Sequence, residues 1–183
     1  MIPDILASRY ASSEISEIWS AEGKVYLERE FWIVVMKAQQ KLGVDIPESA
    51  INSYEKVKSQ IDLKSISKRE KKIRHDVKSR IEEFCDLAGY QHIHKGLTSR
   101  DLTDNVEQLQ IFRSLKKIRL KVVAVLHQMA LWSLRTKNIS LVGRTHNIPA
   151  QTTTLGKRIS MFGEEILFAL GRFEHLIENY PMR

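Results

Sequence analysis

Residues 102–132 read LTDNVEQLQIFRSLKKIRLKVVAVLHQMALW, and they give the clearest indication of the fold class. Apolar side chains recur in it at steps of three and four, which places them on one face of an α-helix of about nine turns. A helix this long with a single apolar face is typical of a helical bundle. The apolar stripe consists of Leu102, Val106, Leu109, Phe112, Leu115, Ile118, Val122, Val125, Met129 and Trp132.

A second long helix is predicted downstream, ending near Tyr180-Pro181 because proline cannot continue a helix. Its stripe consists of Leu155, Ile159, Phe162, Ile166, Leu170, Phe173 and Ile177. The alternation of apolar and polar residues that a half-buried strand needs is nearly absent, so the sequence predicts an all-α fold. Shorter helices are predicted at about 13–20, 24–42, 48–60 and 66–88, with breaks at Gly23, at Gly43 with Pro47, and at Gly89.

The predicted domain boundary lies between Gly89 and Thr98, just before the long stripe begins. We expect residues 1–95 to form a small N-terminal helical domain and residues 96–183 to form the first part of a central bundle of long helices. Two long helices alone leave much apolar surface uncovered. We therefore expect this chain to be an incomplete fragment, with its bundle completed by further chain or by other subunits.

Composition narrows the class of protein. Hydrophobic residues make up 43% of the chain and charged residues 28%, a balance that excludes a disordered protein. No window reaches the roughly 20 apolar residues of a membrane span, and the N-terminus has no basic region followed by an apolar one. We therefore expect a cytoplasmic protein with no membrane partner. Cys85 is the single cysteine, which excludes an internal disulfide.

The net charge of +7 suits an anionic partner, whether nucleic acid, a membrane surface or a small polyanionic metabolite. The densest basic cluster runs from Lys64 to Lys78 and has few aromatic residues that would stack on bases, so we interpret it as a solvated helix face. We therefore expect no nucleic-acid partner. A helical nucleic-acid-binding or assembly module stays the alternative from another class of protein.

The first of three polar segments is Arg74-His75-Asp76, where an arginine, an imidazole and a carboxylate stand side by side. Adjacent helical residues do not face one another, so these three converge on a ligand only from a turn or a helix start. The alternative is a surface triplet in which Asp76 simply favours a helix N-terminus.

The second polar segment runs from His94 to Asp101. Thr98 and Asp101 have the spacing of a capping box, so a helix is predicted to begin at Thr98 or Ser99. Free backbone N–H groups and two hydroxyls at that start suit a carboxylate. Helix capping alone is the alternative.

The third polar segment runs from Gly143 to Arg158. A flexible glycine precedes His146, which we expect on a loop, and a threonine-rich helix start follows, ending in the basic pair Lys157-Arg158. No metal site is expected, because the histidines lack metal-ligand spacing with a carboxylate. His92 and His94 would bind a metal only with distant partners, and His127 and His175 are expected to be structural or surface residues.

In their order along the chain, these segments resemble the fumarase and aspartase superfamily, in which three separated regions from different subunits converge on one active site. Within it the chain looks most like the adenylosuccinate lyase family. Argininosuccinate lyase, the alternative within the enzyme class, shares mainly the general architecture and the Thr-Ser and Thr-His regions. The matching motifs are Arg9-Tyr10-Ala11-Ser12, Ile18-Trp19-Ser20, Arg74-His75-Asp76-Val77, His94-x-Gly96-x-Thr98-Ser99, Gly143-Arg144-Thr145-His146 and Thr154-x-Gly156-Lys157-Arg158.

The resemblance implies a carbon–nitrogen lyase that eliminates fumarate from adenylosuccinate and from the succinylated aminoimidazole carboxamide ribotide, with no cofactor. His146 would be the general acid, since an imidazole gives up a proton near neutral pH. His94 would assist His146 or bind substrate. The implied substrate-binding residues are Arg9, Tyr10, Arg74, His75, Asp76, Thr98, Ser99, Gln151, Lys157 and Arg158.

Two features of the family pattern are missing from these residues. Many members carry glutamine two residues after the third histidine, where Ile148 stands here, and Asn147 or Gln151 would take its place. The base of the family is a serine in a mobile loop that this sequence does not contain, so we expect the isolated chain to be inactive. The resemblance also implies a homotetramer with a small-molecule nucleotide substrate as its partner.

Overall fold

The computed structural model describes residues 4–181, which form eight α-helices and one β-hairpin. The predicted all-α fold is confirmed, with the hairpin as its single addition in these residues. The elements are α1 (Ile5–Tyr10), α2 (Ser13–Trp19), α3 (Ala21–Lys41), α4 (Glu48–Val57), α5 (Leu63–Ile73), α6 (Asp76–Ala88), α7 (Ser99–Arg135), β1 (Ser140–Thr145), β2 (Ile148–Thr154) and α8 (Leu155–Glu178).

The chain divides into two compact units, one extending to Ile111 and the other spanning Phe112–Pro181. The division falls within α7, whereas the sequence predicted a domain boundary between residues 95 and 96. That domain boundary stays a prediction.

The core of the first unit is built around α3, whose apolar side chains Trp32, Ile33 and Met36 are almost completely buried. Helices α4, α6 and the start of α7 contribute most of the rest of this core, and Ile46 and Ile93 join it from the connections between helices. Full burial of one large apolar side chain stabilises a fold by about 1.5–3 kcal/mol. The other buried members of the cluster are Leu27, Ile46, Ile51, Tyr54, Val77, Phe84, Cys85, Ala88, Ile93, Leu102 and Val106.

One buried ion pair crosses this core, between Arg29 of α3 and Glu83 of α6. The Arg29 guanidinium also donates to the carbonyls of Val57, Lys58 and Gln60, at 3.0–3.1 Å. A buried charge is tolerated only when it is paired and hydrogen-bonded, and Arg29 meets both conditions. It therefore fastens the end of α4 to α3 and α6.

One helix break was not predicted, and one predicted break is wrong. The helix predicted at 66–88 is two helices, because Arg74 closes α5 in the left-handed conformation, with φ of 61°. Gly23 does not break a helix but lies in the first turn of α3, where its N–H donates to the Ser20 hydroxyl at 2.8 Å. A side chain at Gly23 would meet the Glu17 carbonyl oxygen at 2.1 Å, so glycine is required there by close approach.

The second unit contains the end of α7, the hairpin and α8. Strands β1 and β2 are antiparallel, and their register shifts between Gly143 and Arg144, so that Ala150 bulges out of the ladder. Backbone hydrogen bonds from Leu155 to the Ile139 carbonyl and from Gly156 to the Thr136 carbonyl tie the base of the hairpin to the turn after α7.

Much apolar surface on this second unit is exposed, as the sequence predicted for an incomplete bundle. Leu120 and Leu167 are both 59% exposed, Phe162 is 57% exposed and Phe168 is 69% exposed. Single exposed apolar residues are ordinary, but a series along two long helices indicates a surface that another helix covers.

Within residues 4–181, no helix combines the length and the hydropathy that crossing a lipid bilayer requires.

Candidate active site

The Arg74-His75-Asp76 segment forms the turn between α5 and α6. Arg74 is left-handed, His75 is the extended N-cap of α6, and Asp76 is the first residue of that helix. Nδ1 of His75 accepts a hydrogen bond from the Lys78 backbone N–H at 3.2 Å, which leaves Nε2 as the free ring nitrogen. The three side chains are exposed, and they occupy the turn or helix start that the sequence predicted for convergence on a ligand.

Asp76 is bound by Arg80 of the same helix, whose Nη2 donates to Asp76 Oδ2 at 2.9 Å. Burial alone would raise the pKa of Asp76, but hydrogen bonds from the Val77 backbone N–H and from Arg80 outweigh it and lower that pKa. Arg80 also contacts Glu28, a carboxylate with no exposed surface. Burial raises the pKa of Glu28 to about 7, although the charges of Arg80 and Lys24 oppose the rise.

His94 lies in the connection between α6 and α7, with a left-handed φ of 62°. The Trp32 indole N–H donates to its Nδ1 at 3.0 Å, and the two rings meet edge to face, 6.0 Å between centroids. Burial lowers the pKa of the His94 imidazole, and the nearby charges of His75 and Lys78 lower it further, whereas Asp101 raises it. The half-buried ring is therefore held neutral and in a fixed orientation.

The predicted capping box at the start of α7 is confirmed. The Thr98 backbone N–H donates to Asp101 Oδ2 at 2.6 Å, and the Asp101 N–H donates to the Thr98 hydroxyl at 3.4 Å. Two of the donors at this helix start are therefore already paired, and the N–H groups of Ser99 and Arg100 are the ones left pointing out of the first turn.

The first two polar segments lie close together in the first unit. The charges of His75 and Lys78 in α6 and of Asp101 in α7 shift the pKa of His94, which indicates that these groups lie near its imidazole. Segments about 20 residues apart in sequence therefore share one polar cluster. It combines two imidazoles, a lysine and a helix start, which suit an anionic ligand.

His146 lies on a loop, as the sequence predicted, but this loop is the two-residue turn of the hairpin and leads into β2, not directly into a helix. His146 and Asn147 both have positive φ, 49° and 64°, the conformation of a type I′ turn. Arg144 donates to the Asn147 carbonyl at 3.2 Å and braces the turn. The His146 side chain is exposed at the hairpin tip.

The threonine-rich helix start is also wrong in part. Thr152 and Thr153 belong to β2, and only Thr154 caps α8, accepting from the Lys157 backbone N–H at 3.2 Å. β-Branched residues favour strands, so three consecutive threonines are a sequence signal for β2. Gln151 of β2 pairs with Gly143 of β1, and Ile148 faces solvent with 65% of its surface exposed.

The remaining predicted site residues lie at exposed positions in separate elements. Arg9 and Tyr10 end α1, and Tyr10 is 76% exposed. Lys157 and Arg158 lie exposed in the first turn of α8. The functional roles assigned to all twelve predicted site residues stay predictions.

Sequence reasoning missed three residues that support this site, namely Trp32, Glu28 and Arg80. Trp32 and Glu28 act through contacts that are distant in sequence, such as the 62 residues between Trp32 and His94, whereas Arg80 lies one helical turn from Asp76. No cluster of three or more His, Cys, Asp or Glu side chains arranged for a metal ion occurs among the residues from 4 to 181.

Comparisons with known proteins match nearly the whole chain. A family model described as lyase matches residues 8–182. The adenylosuccinate lyase of Schizosaccharomyces pombe is 34% identical over 176 residues, covering 92% of this chain and 36% of that protein. The adenylosuccinate lyase of Schistosoma mansoni is 33% identical over 181 residues, covering 97% of this chain and 37% of that protein. The chain thus spans little more than a third of the length of these relatives.

The fold comparison agrees with the sequence comparison. The crystal structure of the 3-carboxy-cis,cis-muconate lactonizing enzyme from Pseudomonas putida superposes with a TM-score of 0.83 at 19% identity, covering 95% of this chain and 41% of that one. At this identity the likeness concerns the fold alone. Since the family match covers nearly the whole chain and the fold agrees with it, the chain belongs to the lyase family of the fumarase and aspartase superfamily.

Proposed function

We propose that this protein acts as an adenylosuccinate lyase, eliminating fumarate from adenylosuccinate to leave AMP and from the succinylated aminoimidazole carboxamide ribotide to leave the free carboxamide. The adenylosuccinate lyases of two distant organisms support this substrate class, at 34% and 33% identity. The order of the polar motifs along the chain supports it as well.

One structural observation carries the proposal. His94 and His146 both hold the left-handed backbone conformation, which is uncommon for residues other than glycine and costs on the order of 1 kcal/mol or more. Strained positions of this kind cluster at functional sites, because the surrounding structure must maintain them. Two motif histidines in strained positions favour a catalytic assignment over a surface one.

In the proposed reaction a base removes a proton from the carbon beside a substrate carboxylate, and the bond from the neighbouring carbon to nitrogen breaks. His146 supplies a proton to the departing nitrogen, so that fumarate and the nucleotide leave. A positioned acid of this kind contributes about 10²–10⁴ in rate. By resemblance to the family, the base is a serine of a loop beyond these residues.

Substrate binding is assigned to the exposed polar groups around this chemistry. Thr98 and Ser99 at the start of α7 would stabilise the charge that builds on the substrate carboxylate. Arg9 would pair with the substrate phosphate, and Tyr10 would contact the nucleobase. Arg74, His75 and Asp76 would line the part of the site that holds the nucleotide. Gln151, Lys157 and Arg158 are assigned to substrate binding as well. A net charge of +7 suits a substrate with a phosphate and two carboxylates.

We also propose that the working enzyme is a cytoplasmic homotetramer. The exposed apolar residues of α8, such as Phe162 and Phe168, support an assembly in which helices of several subunits pack together. In such an assembly one active site would combine polar motifs from different subunits.

The test is fumarate release from adenylosuccinate by the whole protein, with His146→Ala as the variant. His127→Ala is the matched control, because His127 is an exposed histidine in the middle of α7. We expect the first change to lower kcat by at least about 10²-fold and the second to leave it unchanged.

Equal activity in His146→Ala and wild type would contradict the assignment of the acid. Turnover of argininosuccinate in place of adenylosuccinate would contradict the proposed substrate. Binding of DNA or RNA with a steep salt dependence and without lyase activity would contradict the enzyme class.

A further inference from the structure

The imidazole of His94 is attached to the core of the first unit through one ring nitrogen. Trp32, only 1% exposed, donates its indole N–H to His94 Nδ1 at 3.0 Å. A neutral imidazole carries one proton, and a nitrogen that accepts a hydrogen bond does not hold it. The proton of neutral His94 therefore resides on Nε2, at the side of the ring away from Trp32.

The indole of Trp32, which donates this hydrogen bond, is itself packed in the core. The Trp32 ring stacks on Phe84 with 6.3 Å between centroids and 28° between planes. Phe84 lies against Tyr54 at 4.8 Å and under the Arg29 guanidinium at 4.5 Å. Because Arg29 is held by its buried ion pair, the orientation of the indole N–H is set by closely packed side chains of the core.

A second tether holds the same segment to the same face of α3. Gln39 lies seven residues after Trp32, which is two helical turns, and its side-chain amide donates to the Lys95 carbonyl at 2.9 Å. Trp32 fixes the imidazole, whereas Gln39 fixes only the backbone beside it. The two roles are therefore separable by mutation.

Resting on the proposed lyase function, we propose that Trp32 is a positioning residue for that reaction. It holds His94 in the single tautomer that presents Nε2–H, as a hydrogen-bond donor, to an acceptor oxygen of the substrate. His94 then serves as a neutral donor and not as the base, since its other nitrogen is already occupied. A donor needs no change of protonation through the reaction cycle.

The protonation behaviour of His94 agrees with this role. Burial lowers its pKa, His75 and Lys78 of α6 lower it further, and Asp101 of α7 opposes them. A hydrogen bond donated to the neutral ring disfavours protonation too, because the imidazolium must place a proton on Nδ1. Loss of the indole donor should therefore raise the pKa of His94.

The first test is ¹⁵N NMR of the 183-residue chain, with His94→Gln to assign the ring signals. We expect an unprotonated Nδ1 and a protonated Nε2 at pH 7.5, with a through-hydrogen-bond coupling between Trp32 Nε1 and His94 Nδ1. A protonated Nδ1, or no coupling in the folded wild-type chain, would overturn the proposal. This measurement needs no variant at Trp32 and no activity.

The second test compares Trp32→Phe with Gln39→Ala. Phenylalanine keeps an aromatic ring against Phe84 but removes the donor, so we expect a mixture of tautomers and a higher titration midpoint for His94. Gln39→Ala should leave both unchanged. Identical titration of His94 in both variants would overturn the proposal.

The third test measures lyase activity in the whole protein. We expect Trp32→Phe to lower kcat/KM for adenylosuccinate by about 10-fold or more and to displace the acidic limb of its pH profile upward, with Gln39→Ala displacing neither limb. An unchanged profile in Trp32→Phe, with active wild type, would overturn the positioning role. An inactive wild type would instead count against the proposed function, and the NMR result would still decide whether Trp32 sets the tautomer.

Discussion

The Nε atom of Arg80 lies 2.6 Å from Oε2 of Glu28, while the other end of the same guanidinium binds Asp76. Arg80 thus connects a completely buried carboxylate to the exposed carboxylate of the Arg74-His75-Asp76 motif. The pKa values of the two carboxyl groups shift in opposite directions. Burial raises the pKa of Glu28 to about 7, whereas hydrogen bonds lower the pKa of Asp76. A change of pH near neutrality therefore changes the protonation of Glu28 and leaves the Asp76 carboxylate ionised.

The first prediction concerns the pH dependence of stability. The folded chain holds a proton on Glu28 between pH 4.5 and about 7, where the unfolded chain does not. Stability from this group is thus full below pH 4.5 and is lost as pH rises through 7. Glu28→Gln mimics the protonated form, so the free energy of unfolding of the variant relative to wild type should rise from pH 5 to pH 8, by on the order of 3 kcal/mol.

Urea unfolding of both proteins across this range checks the prediction. Wild type and Glu28→Gln both contain His94, so the contribution of His94 to the pH dependence cancels in the difference between their free energies of unfolding. A difference that stays constant with pH would show that Glu28 is ionised throughout.

The second prediction concerns the buried ion pair. Arg29→Met leaves Glu83 buried without a counter-charge and should cost about 3–5 kcal/mol of unfolding free energy. Lys37→Met, which breaks the exposed pair with Glu55, should cost at most about 1 kcal/mol. Adding Glu83→Gln to Arg29→Met should recover part of the loss, and a fully additive double variant in urea unfolding would contradict the coupling.

The third prediction concerns Gly156 at the base of the hairpin. A Cβ there would approach the Ser133 carbonyl oxygen to 2.3 Å and the Lys137 backbone to 2.7 Å. Gly156→Ala should therefore destabilise the second unit by about 1–3 kcal/mol in thermal unfolding. Gly171→Ala, in the same helix with open space around it, should instead stabilise by up to about 1 kcal/mol. Equal melting temperatures for the two variants would refute the close packing at Gly156.

The fourth prediction concerns the hairpin turn. His146→Asn and His146→Ala both remove the imidazole, but asparagine tolerates positive φ much better than alanine. Hydrogen exchange of the β1 and β2 amides should therefore stay near wild type in the asparagine variant and become about fivefold faster in the alanine variant, which corresponds to about 1 kcal/mol. Both variants should lose fumarate release to the same extent, and retained activity in His146→Asn would contradict the role of the acid.

Some local features of this fold were predictable from the sequence, and its long-range contacts were not. The capping box needed only Thr98 and Asp101, three residues apart, and it is present. The break between α5 and α6 was missed because Ile66, Ile73 and Val77 keep helical spacing across it. Arg74 is also not a residue type that marks a left-handed position.

The hairpin was missed for a different reason. Thr152, Thr153 and Thr154 were interpreted as a helix start, where threonine is common, although β-branched residues and the His146-Asn147 pair suit a strand and a tight turn. The contact between Trp32 and His94 depends on tertiary structure, so no local pattern indicates it.

The bulge at Ala150 has a consequence for how the segment tolerates changes in length. Side chains alternate between the two faces of a strand, so one residue inserted or deleted in β2 would move every later side chain to the opposite face. It would also displace Thr154 from its capping position on α8. Surface loops usually accept insertions, but residues 140–154 form a spacer of fixed length that sets the reach of His146.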